Sequence, residues 1–335
     1  MAPGSPEYKV VDRSILLPFY RRFLVDPVLP LLPARLNPNT ITHVGHLINF
    51  GGTVLLLALW PKRGWPFLTA MVLLQVYMWC DNADGAHARR TNQCSALGEF
   101  LDHGLDALNT VYIAYLTAMA LGLPPMGWVT IALVIPGAGA VTYWEQTQTG
   151  VFRLGLLNQV ESVTVLSFAL TMAAIFGNDV FERFSLFGII SAQRGFFLWC
   201  VATILFGMVR GMQRVAARDG LAAVLPVGAF IAFGAAIAGA GATGAISTIA
   251  AVTLATCANV HYGTRMLTLR LHHQQPKVEP ALLAFTALLC SFIGWKLAGF
   301  AMNPAGGPLL ATAACIVFGA QAIQNTRASL QQIAR

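Results

Sequence analysis

The sequence predicts an all-α, polytopic integral membrane protein, with about ten transmembrane helices behind an N-terminal interfacial amphipathic segment. Three observations carry this. The 335 residues are 56% hydrophobic and only 10% charged, with a mean hydropathy of +0.64, which is not the balance of a soluble chain. Apolar runs of the roughly 20 residues needed to cross a bilayer core recur along the whole length. The basic residues alternate in density from one inter-run segment to the next, the positive-inside pattern of membrane proteins.

Residues 1–36 come first. MAPGSPEYKVVDRS lacks an apolar core, so no cleavable signal is expected and entry into the membrane falls to internal helices. ILLPFYRRFLVDPVLPLL mixes Leu, Phe and Ile with Arg21, Arg22 and three prolines. It is too interrupted to cross, and fits a segment lying on the membrane with its arginines at phosphates; a plain polar arm is the alternative. Ten candidate spans follow, near 42–60, 65–82, 97–122, 126–147, 157–177, 195–214, 221–241, 244–265, 280–300 and 307–325. Pro136 is expected to kink the fourth. Gly- and Ala-rich stretches at 226–247 and 307–320 suit close helix packing in lipid. Residues 178–194 read as a loop or surface helix.

With the N-terminus in the cytoplasm, ten crossings put sixteen Lys and Arg, Arg335 among them, on inside segments and four outside (Lys62, Arg63, Arg183 and Arg194), with Lys296 inside the ninth span. This asymmetry accounts for the net charge of +7 without nucleic acid as a partner. The six cysteines (80, 94, 200, 257, 290 and 315) show no paired spacing, which supports neither a disulfide framework nor a zinc site.

The chemistry concentrates in Asp81–Asp106, DNADGAHARRTNQCSALGEFLDHGLD. Asp81 and Asp84 are three residues apart and Asp102 and Asp106 four, so each pair shares a helix face. Carboxylates at the ends of hydrophobic helices are costly unless a cation binds them. Only two arginines and no lysines stand against six acids between positions 64 and 152, so local salt bridges cannot neutralise them. Hard carboxylate oxygens suit Mg²⁺, Mn²⁺ or Ca²⁺. Four charges balance two divalent ions, and a metal pair roughly 3.5–4 Å apart stabilises phosphoryl displacement. Gly85 and Gly98 allow close approach to the backbone. Arg89 and Arg90 are placed to meet phosphate oxygens. The charge asymmetry turns the stretch to the cytosol.

The pattern D81-x2-D84-G85-x2-A88-R89-x8-G98-x3-D102-x3-D106 resembles the signature of the CDP-alcohol phosphotransferases at every fixed position. The resemblance implies that Asp81, Asp84 and Asp102 bind metal, that Asp106 binds metal or serves as base, and that Gly85, Ala88, Arg89 and Gly98 line the nucleotide pocket. The string from Ala88 to Asp106, Pro38–Thr42, Tyr8-Lys9 with Asp12 and Ser14, and Trp144-Glu145 through Glu161 look like the eukaryotic-type choline and ethanolamine branch. The likeness is specific over residues 8–161. It departs at Gln159-Val160 in place of Gly-Pro, at Ser162 in place of Gly, and at Ala86-His87 in place of Lys-Gln. The implied organisation is an interfacial segment (1–36), catalytic helices (37–215) and C-terminal helices for lipid access or dimer packing (216–335).

Other residues carry two readings each. Glu99 and His103 are four apart on one face, so His103 can take a proton with Glu99 orienting it; Asp106 is the rival base, and a packing pair is the plain alternative. Glu145, Glu161 and Trp144 are head-group candidates or structural. Asn39 and Thr42 cap the first helix or reach phosphate. His43 and His46 read as polar neighbours near the membrane surface. Tyr77, Trp79, Tyr143 and Trp144 form an aromatic cage for a quaternary ammonium or an interfacial belt.

The resemblance implies transfer of phosphocholine or phosphoethanolamine from CDP-choline or CDP-ethanolamine to diacylglycerol. Two Mg²⁺ ions, replaceable by Mn²⁺, would serve a homodimer whose site faces the cytoplasm. The alternatives are a CDP-diacylglycerol-dependent phosphatidyltransferase, which would want a basic cluster for a phosphorylated acceptor, and a divalent-cation transporter, which would want acids through both leaflets.

Overall fold

The computed structural model describes residues 9–61, 63–155, 158–186, 188–300 and 305–334. Tyr8, Lys62 and Arg335, which enter the motif and the charge asymmetry, lie outside the described residues. Among those described, the chain is helical from end to end apart from short turns and strands. The long helices are α2 (Pro38–Leu59), α3 (Trp65–Thr91), α4 (Ala96–Ala120), α5 (Pro125–Thr149), α6 (Gln159–Phe176), α8 (Ala192–Asp219), α9 (Leu225–Ala242), α10 (Thr248–Leu271), α11 (Pro280–Leu297) and α12 (Gly306–Ile333). Each coincides with one expected span. Two single turns, α1 (Leu17–Tyr20) and α7 (Val180–Arg183), complete the set.

Among the described residues, seven helices are long and apolar enough to cross a membrane: α2, α5, α6, α8, the run Leu221–Ala242 that holds α9, α11 and α12. This is the architecture of an all-α polytopic membrane protein. The remaining three, α3, α4 and α10, have 27, 25 and 24 residues. They are long enough to span, but polar residues dilute them: the aspartates in α3 and α4, and Asn259, His261, Arg265 and Arg270 in α10. Helix α5 runs unbroken through Pro136. The expected loop at 178–194 holds α7 and a two-residue antiparallel pair, Ser185–Leu186 with Ile190–Ser191, and α8 starts at Ala192.

The N-terminal segment is interrupted as its prolines require. After α1 come a π-turn at Arg21–Val25 and a 3-10 turn at Leu29–Leu31. Phe19, Phe23, Leu24 and Leu31 are exposed while Val25 is buried.

By compactness the chain divides into two units that interleave in sequence, residues 1–122 with 153–199 and residues 123–152 with 200–335. This partition is distinct from a division by role. In the first unit α2 packs along α3 and α4, and α6 packs against α3 and α4. Leu56, Phe67, Leu74, Tyr77, Leu116, Met119 and Leu170 form its core. In the second unit α5 packs on α9 and α10, α10 on α12 and α9 on α11. Phe233, Tyr262 and Phe318 are buried there, with Tyr262 stacked on Phe230 at 4.2 Å. Its buried acids are paired. Glu145 accepts from Arg214 at 2.6 and 2.7 Å. Glu279 lies 2.7 Å from His261 and 3.1 Å from Arg265.

Candidate functional site

The site is built in the first unit, where three helices converge. Asn37 caps α2, its side chain accepting from the Asn39 N–H at 2.9 Å, so Asn39 and Thr42 are free of that task. Helix α3 ends at Asn92 in the left-handed conformation (φ 57°), and Ser95 starts α4 by accepting from the Gly98 N–H at 3.0 Å. The tight link between these caps returns the chain, and α4 packs along α2. That return brings the second aspartate pair to the first.

Tyr77 and Asp81 are one turn apart on α3, and Asp106 faces them from α4. The buried Tyr77 hydroxyl lies 3.2 Å from Asp81 Oδ1 and 3.0 Å from Asp106 Oδ1. Gln159 Nε2, at the start of α6, donates to the same hydroxyl at 3.0 Å. Asp84, buried, accepts from the Thr42 hydroxyl of α2 and from the Gly85 N–H. Asp102 stands within electrostatic reach of both Asp81 and Asp84. The four aspartates thus act on one another across α3 and α4.

Around the aspartates the expected nucleotide residues are arrayed. Arg89 folds back over Gly85, its guanidinium 3.4 Å from where a β-carbon there would lie, and its charge bears on Asp84. A β-carbon on Gly98 would stand 3.1 Å from Asn39 Oδ1, so the glycine lets Asn39 of α2 come up to α4. Ala88 is half-buried on α3 beside Arg89. His103 is buried and Glu99 half-buried, one turn apart on α4. Arg90, by contrast, is turned to structure. It donates to the Leu32 carbonyl at 2.8 Å and approaches His87 Nδ1 at 3.1 Å.

The N-terminal segment is strapped beside the site. Trp79 Nε1 donates to the Leu24 carbonyl at 2.9 Å, and Gln93 to that of Ala34 at 2.9 Å. Tyr20 lies near Asp81; burial, reinforced by that carboxylate, pushes its phenol up to about 12. Glu161 Oε1 accepts from Ser14 Oγ and from the Ile15 and Leu16 N–H groups at 2.7, 2.8 and 2.9 Å. Its other oxygen closes a capping box on Asn158 at 3.2 Å. Trp144 and Glu145 are both buried in the second unit, Glu145 against Arg214. Tyr143 stacks on Phe152 at 6.0 Å.

Three residues enter that the motif did not announce. His46 is buried on α2 with Nε2 3.8 Å from Asp106 Oδ1, and donor atoms of His46, Asp81 and Asp106 all lie within 4.8 Å of one another. Tyr77 bridges rather than cages, and Gln159 supports it. The signal for His46 was a polar stripe, Asn39, Thr42, His46, Asn49 and Thr53, at alternating spacings of three and four on an apolar helix. Clustered carboxylate oxygens with a cation beside them and buried donors behind them fit a divalent ion better than any pairing within the chain.

Comparison with known proteins identifies the family. Residues 35–205 match the family model described as CDP-alcohol phosphatidyltransferase, a span that holds every site residue of the three helices. Cholinephosphotransferase 1 of Danio rerio is 32% identical over 177 residues, 49% of this chain and 45% of that protein. The rat protein of the same name is 35% identical over 141 residues, 40% of this chain and 35% of its own length. A Dictyostelium discoideum protein described as uncharacterized CDP-alcohol phosphatidyltransferase class-I family protein 2 is 30% identical over 180 residues, 52% of this chain and 44% of its own. The chain thus spans less than half the length of these curated relatives. The family match over half the chain, centred on the four aspartates, establishes that this membrane protein belongs to the CDP-alcohol phosphatidyltransferase family.

Proposed function

We propose that the chain transfers phosphocholine or phosphoethanolamine from its CDP ester to the free hydroxyl of diacylglycerol, giving a phospholipid and CMP. The observation that carries this is the convergence of Asp81, Asp84, Asp102 and Asp106 beside Arg89. The relatives named cholinephosphotransferase support the choline or ethanolamine branch.

Asp81, Asp84, Asp102 and Asp106 would hold two Mg²⁺ ions, for which Mn²⁺ can substitute. When bound, such ions offset the charge that develops on the leaving phosphate. Arg89 supplies a fixed positive charge to phosphate oxygens. Gly98 and Asn39 shape the nucleotide side. The lipid hydroxyl attacks the β-phosphorus as the bond from that phosphorus to the CMP oxygen breaks. The hydroxyl proton goes to His103, with Glu99 orienting the ring. Asp106 is the poorer acceptor because Oδ1 already faces the Tyr77 hydroxyl. The arginine asymmetry favours a cytoplasmic N-terminus and active site. Glu145 and Glu161 are left in structural roles, since Arg214 engages one and Ser14, Ile15 and Leu16 engage the other. A CDP-diacylglycerol donor with a phosphorylated acceptor would need free basic groups, and Arg214 is committed to Glu145.

The test offers purified protein diacylglycerol with CDP-choline, then CDP-ethanolamine, and measures CMP with Mg²⁺ and with EDTA. CMP is expected only with metal, and not from Asp102→Ala. Release from neither donor refutes the substrate assignment.

A further inference from the structure

The stripe along α2 is almost wholly explained by bonds to its neighbours. Thr42 donates to Asp84, Asn49 to Asn109 Oδ1, and Thr53 to the Asn49 carbonyl at 2.9 Å. Among its buried members His46 is the exception. Its residue is 6% exposed, and neither ring nitrogen has a hydrogen-bond partner among the described residues. Nε2 lies 3.8 Å from Asp106 Oδ1, too long for a hydrogen bond. The ring stands edge-on to Tyr77, 5.0 Å between centroids at 63°, the same Tyr77 whose hydroxyl meets Asp81 and Asp106.

A buried imidazole left in this way is costly unless something outside the chain binds it. The sequence nonetheless brings it to the site by close helix contact. A β-carbon on Gly45 would lie 2.6 Å from the Cys80 β-carbon, so only glycine lets α2 sit this near α3. The next residue, His46, then reaches the aspartates. Its donor atom and those of Asp81 and Asp106 lie within 4.8 Å of one another, against roughly 3 to 4.2 Å for donors sharing one ion at bonds of about 2.1 Å. Small side-chain rotations close the difference.

We propose that His46 is a nitrogen ligand to the ion held between Asp81 and Asp106, so that one ion is bound by three helices through one nitrogen and two carboxylates. Imidazole nitrogen suits first-row transition ions, of which Mn²⁺ also accepts the two carboxylates, whereas Mg²⁺ keeps to oxygen. This position therefore takes Mn²⁺ in preference to Mg²⁺. The inference rests on the metal-dependent reading of the aspartate site and adds to it a ligand outside the aspartate motif.

The test uses the full chain purified in detergent and loaded with Mn²⁺, read by pulsed electron paramagnetic resonance. Wild type should show coupling to a bound ¹⁴N, which becomes a ¹⁵N coupling when the protein is made with ¹⁵N-histidine. His46→Leu should lose that coupling and bind Mn²⁺ about tenfold more weakly or worse, with Mg²⁺ binding little changed. His103→Gln should keep the coupling. Mn²⁺ bound without histidine coupling, or coupling that survives His46→Leu, overturns the proposal. If His46→Leu does not fold, loss of the coupling in His103→Gln overturns it and retention supports it. No Mn²⁺ binding at all overturns both the proposal and the metal-dependent reading beneath it.

Discussion

Replacing Tyr77 by Phe removes one oxygen from the centre of the site and keeps the ring that packs edge-on against His46. That oxygen faces Asp106 Oδ1 at 3.0 Å and Asp81 Oδ1 at 3.2 Å and accepts from Gln159 Nε2 at 3.0 Å. A hydroxyl has a single proton, so it serves one carboxylate at a time. A hydrogen bond to a charged group contributes about 1.5–3 kcal/mol, and each 1.36 kcal/mol is tenfold in rate. If the bond orients Asp81 and Asp106 for catalysis, Tyr77→Phe should lower kcat/KM about ten- to hundredfold. It should also raise the Mg²⁺ concentration needed for half-maximal rate, because the carboxylates are no longer held in place. CMP release from CDP-choline and diacylglycerol, measured across a Mg²⁺ titration, reads both effects. Activity and metal requirement unchanged within about twofold, less than 0.5 kcal/mol, would refute the view that this hydroxyl organises the site.

Thr42→Val leaves buried Asp84 without its side-chain donor and should lose activity at least tenfold in the CMP assay, while Thr42→Ser should restore most of it. Gly45→Ala forces α2 away from α3 at the Cys80 contact and should cost about 1–3 kcal/mol, read as a lower thermal unfolding midpoint together with weaker metal binding. Arg214→Ala strips a bidentate partner from Glu145, whose side chain is 5% exposed against 42% for the arginine. The half-open arginine discounts the usual penalty to about 2 kcal/mol. The unfolding midpoint should fall, with the KM for CDP-choline unaffected, whereas a head-group role for Glu145 would raise that KM.

Helix placement was legible from apolar run length, because a bilayer core demands it; all ten expected spans are helices. Their crossing potential is less uniform, since α3, α4 and α10 exchange apolar residues for polar ones. The aspartates were legible from spacing, because residues three or four apart share a helix face. Arg89 and Arg90 looked alike in sequence and diverge in structure. One stays by Gly85, and the other is drawn to the Leu32 carbonyl by a segment fifty-eight positions away. Glu161 likewise looked available until the N-terminal segment supplied three donors to it.

The sequence alone determined the membrane class, the two aspartate pairs and the family they belong to, because these depend on composition and on spacing within single helices. The tertiary structure decided which polar residues meet the aspartates. His46, Tyr77 and Gln159 come from α2, α3 and α6 and reach the aspartates through contacts between helices. Such contacts depend on how closely two backbones approach, as Gly45 permits at Cys80, and no periodicity within one helix reports that distance.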